Sequence, residues 1–387
     1  MPVVATYRLP VGADPHKLGE KIAVGQTAGS WNAAWEHRAG RFQDHLAHVV
    51  GAVTDHPDGH PRVRVSFPDA DIEGDLGSLL TLVFGKYSMA GPLALDDLEL
   101  PDSFGRTPKV GLSGLRDRLG VHDRPFVMAI FKPALGLSAQ DHADILRDVG
   151  MAGLDLIKDD EIMADLPAAP TAERLAACSR SLDEVQAATG RRPLYALNLT
   201  GGGGSVVDRA RQLEDAGAEC FLLNGLAYGW HTVEQVRDAV DVPIFLHPAF
   251  AGAIAGAPDH GLPYRLLLGT LPAFSGVDAV LYPAHYGSLP FDPAEEAAIR
   301  DALRARNVAP VPSAGIHPGV VPRALSDYGQ DVILNAGTGI MDHPGGPADG
   351  VRAFFEALDR HGAGEPFTVV DDPSTPLDVA LATWGIG

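Results

Sequence analysis

"GLDLIKDDEIMAD" (residues 153–165) runs from apolar Leu154, Leu156 and Ile157 straight into Lys158, Asp159, Asp160 and Glu161. A buried strand that ends by crowding one lysine and three carboxylates together calls for a cause. A solvated turn supplies one. A hard-metal site at the mouth of a barrel supplies another, because Mg²⁺ prefers a few carboxylates with water and substrate oxygens. The surroundings of the run separate the two.

From residue 125 onward, short apolar runs alternate with segments of helical period. The runs fall at 126–131, 154–157, 194–199, 221–223, 244–246, 279–281, around Val311 and at 332–334. Leu175, Cys178, Leu182 and Val185 form one helical stripe that stops at Gly190. Ser138 with Asp141, and Ser205 with Asp208, read as serine caps followed by a first-turn acid. Eight such units predict a (β/α)₈ barrel. A doubly wound open sheet is the rival, but it seldom needs eight repeats and wants a glycine-rich first turn.

The first 115 residues follow a different order. A strand near 5–9, a helix at 14–27, strands at 48–53 and 62–67, a helix at 74–88 and a strand at 93–100 predict an α+β, ferredoxin-like module. The expected organisation is therefore α/β: residues 1–115 as that module, 116–365 as the barrel with metal and phosphate sites, and 366–387 as a tail packing on the barrel.

Among the 387 residues the formal net charge is −20, which argues against nucleic acid or an anionic membrane as partner. No apolar run approaches the roughly 18–20 residues of a membrane span. Two cysteines, Cys178 and Cys220, suggest neither a disulfide framework nor a zinc site. Together with a start that lacks a secretory signal, this gives a cytoplasmic expectation.

Barrel enzymes carry their chemistry at the C-terminal ends of the strands. Here those ends deliver Lys132; Lys158, Asp160 and Glu161; Asn198 and Thr200; Asn224; His247; His285; Ser313, Gly315 and His317; and Asn335, Gly337 and Thr338. "SAGIHPG" (313–319) and "NAGTGIMDHPGG" (335–346) put small residues between a strand and a helix on neighbouring units. Backbone N–H groups can approach an anion closely there, and the last two βα loops of barrels often bind phosphate.

"GLDLIKDDE", preceded by "FKPALGLS" (131–138) and followed by "LNLTG" (197–201), resembles the large-chain family of ribulose-bisphosphate carboxylase. The resemblance spans nearly the whole chain, "GSW" (29–31) included. It is closest to the RuBisCO-like (form IV) branch of methionine salvage, the 2,3-diketo-5-methylthiopentyl-1-phosphate enolases. "FGKYSMAG" (84–91), "AYG" (227–229), "HPAFAGA" (247–253), "YGS" (286–288) and "VPSAGIHPGVVP" (311–322) carry that look.

The resemblance implies a carbamate on Lys158, formed with CO₂, that completes a Mg²⁺ site with Asp160 and Glu161. It implies Lys86 as general base and Lys132 as a further catalytic, substrate-contacting lysine. His247 and Asn198 would meet substrate, while Ser313, Gly315, Gly337 and Thr338 would hold its phosphate. A homodimer with a shared active site follows, since in this family the small domain covers the partner's barrel mouth.

Carbon fixation is not expected. Ala134 stands where carboxylases carry a second lysine, residues 285–296 lack one, and Pro248 replaces an arginine. Against the salvage enolases, "GGGGS" (201–205), His285, Thr338 and "MDHP" (341–344) differ and are expected to line the substrate-sorting part of the pocket. The expected activity is Mg²⁺-dependent enolisation of a phosphorylated keto-sugar or diketone through a metal-stabilised enediolate. Isomerisation or decarboxylation of another sugar phosphate, or non-catalytic binding, are the alternatives.

Overall fold

The computed structural model describes residues 2–30, 32–201 and 203–387. Trp31 of "GSW" and Gly202 of "GGGGS" lie outside the described residues. Among the described residues, no helix is long and apolar enough to cross a membrane. The chain forms two compact units.

The first unit takes residues 1–107 together with 229–234 and 250–276. Its sheet contains β1 (Val3–Arg8), β2 (His48–Val53), β3 (Arg62–Phe67) and β4 (Ala94–Glu99) in the order β2-β3-β1-β4. β1 is antiparallel to both β3 and β4. Val3, Ala5 and Tyr7 are buried and alternate with more exposed residues, as a sheet with one covered face requires. The helix Pro15–Gln26 starts at Asp14, whose carboxylate accepts from His16 N and Lys17 N. This is the expected ferredoxin-like order. The expected helix at 74–88 is instead an α-helix at Leu76–Leu80, a π-helical turn at Thr81–Gly85 and a 3₁₀ turn at Tyr87–Met89.

The two later segments join this unit by specific bonds. Leu95 N donates to Gly261 O at 3.0 Å, and Arg265 lies 2.7 Å from Asp96 Oδ1. The Glu234 carboxylate accepts from Leu76 N and pairs with Arg106 at 2.8 Å.

The second unit is an eight-stranded parallel sheet of β5 (Phe126–Ile130), β6 (Leu156–Lys158), β7 (Leu194–Asn198), β8 (Phe221–Leu223), β9 (Ile244–Leu246), β10 (Ala279–Pro283), β11 (Ala309–Ser313) and β12 (Ile333–Ala336). The order runs β11-β10-β9-β8-β7-β6-β5-β12. Asn335 Nδ2 donates to Ser313 Oγ at 2.9 Å between the two end strands, so the sheet curls into a near-closed barrel. The (β/α)₈ expectation holds. All four residues of the predicted stripe are buried in the helix Thr171–Thr189, which ends on Gly190 at φ 74°.

The barrel core alternates along each strand. Phe126 and Met128, Leu194 and Ala196, Ala279 and Leu281, and Ala309 and Val311 share one cluster with Leu156, Leu222, Phe245 and Ile333. Leu112 and Leu115 of the helix Gly111–Leu119, with Val121, join the same cluster. Because the cluster takes the first residue of several strands, this helix closes the N-terminal end of the barrel. Residues 376–384 form a helix whose Leu377, Ala380 and Leu381 are buried.

Candidate active site

Side chains on a strand alternate with period two. Two residues beyond the apolar core positions Leu156, Ala196, Leu222, Phe245, Val311 and Ile333 stand Lys158, Asn198, Asn224, His247, Ser313 and Asn335. The inward register thus changes from apolar to polar at the C-terminal end of the barrel. The solvated-turn explanation of "KDDE" fails here, because Lys158, Asp159 and Asp160 are all buried.

Lys158 has no solvent exposure, and among the described residues its ammonium makes one hydrogen bond, 3.1 Å to Asp159 O. Burial pushes its pKa down to about 8, against the upward pull of Glu161, Asp160 and Asp159. The two flanking carboxylates are each met by a cationic or polar partner. Lys132 Nζ lies 2.6 Å from Asp160 Oδ2, and His247 Nε2 lies 3.4 Å from Glu161 Oε2. Burial pushes the Asp160 carboxyl up, but hydrogen bonds from Lys132 and Ile162 N bring it below its ordinary value. Burial and then Lys158 push His247 down to about 3, so its ring is neutral. Its Nδ1 accepts from Ala249 N, which places the ring proton on Nε2, facing Glu161. Two carboxylates beside a buried, readily deprotonated amine suit a hard divalent cation, provided the amine becomes a carbamate and supplies a third oxygen donor.

Asp159 plays a different part, of which the "KDDE" run carries no sign. It turns out of the barrel, where its carboxylate accepts from Arg174 at 2.8 Å, Tyr195 OH at 2.7 Å and Asn198 N at 2.9 Å. Arg174 is itself without exposure and also donates to Ala169 O at 2.7 Å. This buried pair fixes the strand so that Lys158 and Asp160 point inward on either side of it. Asn198 was expected to meet substrate. In the structure both ends of its amide already have partners: Nδ2 donates to the carbonyls of Asp160, Glu161 and Met163, and Oδ1 accepts from Thr200 N at 3.0 Å. Asn224 donates to Glu161 O at 2.8 Å. Both asparagines shape the loop that carries the carboxylates.

Ser313 ends β11 and Gly315 lies just beyond it, while Gly337 and Thr338 follow β12, so the two small-residue loops are neighbours. Gly315 has φ 96°, and a Cβ there would lie 2.6 Å from Ser288 N, so only glycine fits. A Cβ on Gly337 would lie 3.8 Å from Lys132 Cε, which brings the strand-one lysine alongside this loop.

Two expected pocket residues are placed elsewhere. His285 is turned away, with Nδ1 2.7 Å from Glu296 and Nε2 3.0 Å from Arg323. His343 is buried, with Nε2 bonded to Pro376 O at 3.0 Å. Both are packing residues that tie helices and the C-terminal segment together. Lys86 belongs to the first unit, where it is exposed beside the π-helical turn Thr81–Gly85.

Residues 111–309 and 292–384 match the family model described as ribulose bisphosphate carboxylase large chain, catalytic domain. The chain is 58% identical over 387 residues, covering 100% of both, to a Microcystis aeruginosa protein named 2,3-diketo-5-methylthiopentyl-1-phosphate enolase. The crystal structure of a rubisco-like protein (MtnW) from Alicyclobacillus acidocaldarius superposes with a TM-score of 0.90 at 39% identity, covering 100% of each chain. A dimeric archaeal Rubisco from Hyperthermus butylicus gives 0.85 at 26% identity, covering 99% of this chain and 96% of its own. The chain belongs to the ribulose bisphosphate carboxylase large-chain family.

Proposed function

We propose that this chain is a non-carboxylating, rubisco-like enolase that tautomerises 2,3-diketo-5-methylthiopentyl-1-phosphate in methionine salvage. The observation that carries this reading is the buried Lys158 beside the carboxylates of Asp160 and Glu161, in a chain that lacks the carboxylase lysines at Ala134 and in 285–296.

Lys158 as a carbamate, Asp160 and Glu161 would hold Mg²⁺. When bound, that ion supplies a Lewis acid that acidifies the carbon beside a substrate carbonyl. The chain's own residues do the rest. Asp159 and Arg174 hold the strand, while Asn198 and Asn224 hold the loop. Lys132 meets the oxygen-rich end of the substrate, and neutral His247 offers its Nε2–H as a donor. Backbone N–H groups of the loops that carry Ser313, Gly315, Gly337 and Thr338 hold the phosphate. Lys86, delivered by a second copy of the chain, takes the proton from carbon, so the working unit is at least a homodimer in the cytoplasm.

The test supplies the diketone with Mg²⁺ and follows the ultraviolet absorbance of the enol. The expected result is enol formation, with no fixation of labelled CO₂ onto ribulose bisphosphate. An unchanged diketone, or fixed label, overturns the reading.

A further inference from the structure

Asn335 holds the inward register of β12, two residues beyond the core residue Ile333 and two before Gly337. Its side chain is buried beside Ser313. Nδ2 donates to Ser313 Oγ at 2.9 Å, and Ser313 Oγ donates onward to Val311 O at 3.0 Å. With its hydrogen committed to Val311, Ser313 has only lone pairs to offer Asn335. The carboxamide is therefore oriented, with Nδ2 toward β11 and Oδ1 away from it.

No donor among the described residues reaches Oδ1. A buried carbonyl oxygen without a donor is costly, and folded proteins keep few of them. Asn335 stands two residues before Gly337, whose loop Lys132 adjoins. Asn224 Oδ1 has the same property, but the Asn224 amide also holds Glu161 O, so altering it would disturb the carboxylate loop. Asn335 has no such second duty.

We propose that Asn335 Oδ1 is a substrate-contacting acceptor that takes the O–H hydrogen of the enol. This rests on the enolase reading given above. In the tautomerisation the C–H electron pair becomes the new C=C bond, and the carbonyl π pair becomes the O–H bond. The proton lost from carbon goes to the base, and oxygen gains one from that base or from solvent. A keto oxygen offers Oδ1 only lone pairs, whereas the enol hydroxyl offers a hydrogen. The contact therefore forms as the proton arrives on oxygen, and it favours enol over diketone.

Two variants separate contact from scaffolding. Asn335→Leu keeps the volume and removes the acceptor; Asn335→Asp keeps an acceptor, and both lose the amide donor to Ser313. Melting temperature, kcat and KM on the diketone are measured for each. So is the calorimetric affinity, with Mg²⁺, for phosphoglycolohydroxamate, a phosphorylated enediol mimic that carries a hydroxyl hydrogen. The Leu variant should melt no lower than the unaltered protein. Its kcat and its hydroxamate affinity should each fall roughly tenfold with little change in KM, as for one lost hydrogen bond, while Asp retains more of both. Wild-type kcat and hydroxamate affinity in the Leu variant would overturn the proposal. So would a lowered melting temperature with Asp and Leu equally impaired, which would make Asn335 a support for Ser313 alone. If the unaltered protein leaves the diketone unchanged yet binds the hydroxamate, and Leu loses that affinity, the substrate assignment falls and the Asn335 contact stands.

Discussion

Lys132 Nζ lies 2.6 Å from Asp160 Oδ2, a cation from the half-open rim resting on a carboxylate that is only 4% exposed. The ammonium holds a position beside an oxygen that a divalent cation would use. Removing it as Lys132→Met should leave Mg²⁺ affinity equal or tighter in calorimetric titration, because a like charge has gone from the neighbourhood. Turnover should fall nonetheless, since the substrate contact goes with it. Weaker Mg²⁺ binding would make Lys132 part of the metal assembly instead.

The Asp159–Arg174 pair, both partners without exposure, makes a stability prediction. Asp159→Asn leaves the Arg174 charge buried and uncompensated, at a cost of about 3–5 kcal/mol. Replacing both, as Asp159→Leu with Arg174→Met, should recover part of that loss. Urea unfolding decides it: a single variant as stable as the unaltered protein would mean that the pair does not anchor β6.

Glu234 makes a prediction about pH. Burial raises its carboxyl from the ordinary 4.5 to about 6, with Arg106 opposing. A raised folded pKa means that the folded state holds the proton more tightly. That stabilisation is present below about pH 4.5 and is lost as pH rises through 6. Between about pH 4.5 and about pH 7 the unaltered protein should therefore lose about 2 kcal/mol relative to Glu234→Gln. Parallel stability curves for the two proteins would contradict this.

Much of the architecture was legible because one period dominated each stretch. The stripe Leu175, Cys178, Leu182 and Val185 ending at Gly190 could be little else than a helix packed on one side. Lys158 was legible as a candidate because an apolar strand leads into it. Asp159 was not, because "KDDE" looks like one cluster until strand parity sends alternate side chains to opposite faces. Its partner Arg174 sits inside the next helix, and only tertiary packing brings the two together. The split of the expected helix at 74–88 follows from a π-helical turn, which no apolar pattern announces. Segments 229–234 and 250–276 carry barrel-like local signals yet join the first unit through pairings such as Glu234 with Leu76.

The proposed sharing of the active site between two subunits makes a prediction about mixtures. Lys86→Ala and Lys158→Ala should each be inactive alone, the first by about 10²–10⁴-fold as for a lost general base. Mixed and allowed to exchange subunits, they should regain activity, because a heterodimer holds one intact site. No recovery, despite exchange confirmed with tagged subunits, would place Lys86 outside the partner's site.

The central claim is that Lys158, as a carbamate, completes a Mg²⁺ site with Asp160 and Glu161. The most direct measurement is carbon NMR of the protein equilibrated with labelled bicarbonate and Mg²⁺, read beside turnover. The account predicts one carbamate resonance, absent in Lys158→Ala, and activity that rises and falls with it. Full Mg²⁺-dependent turnover without that resonance, or a resonance that persists in Lys158→Ala, would contradict it.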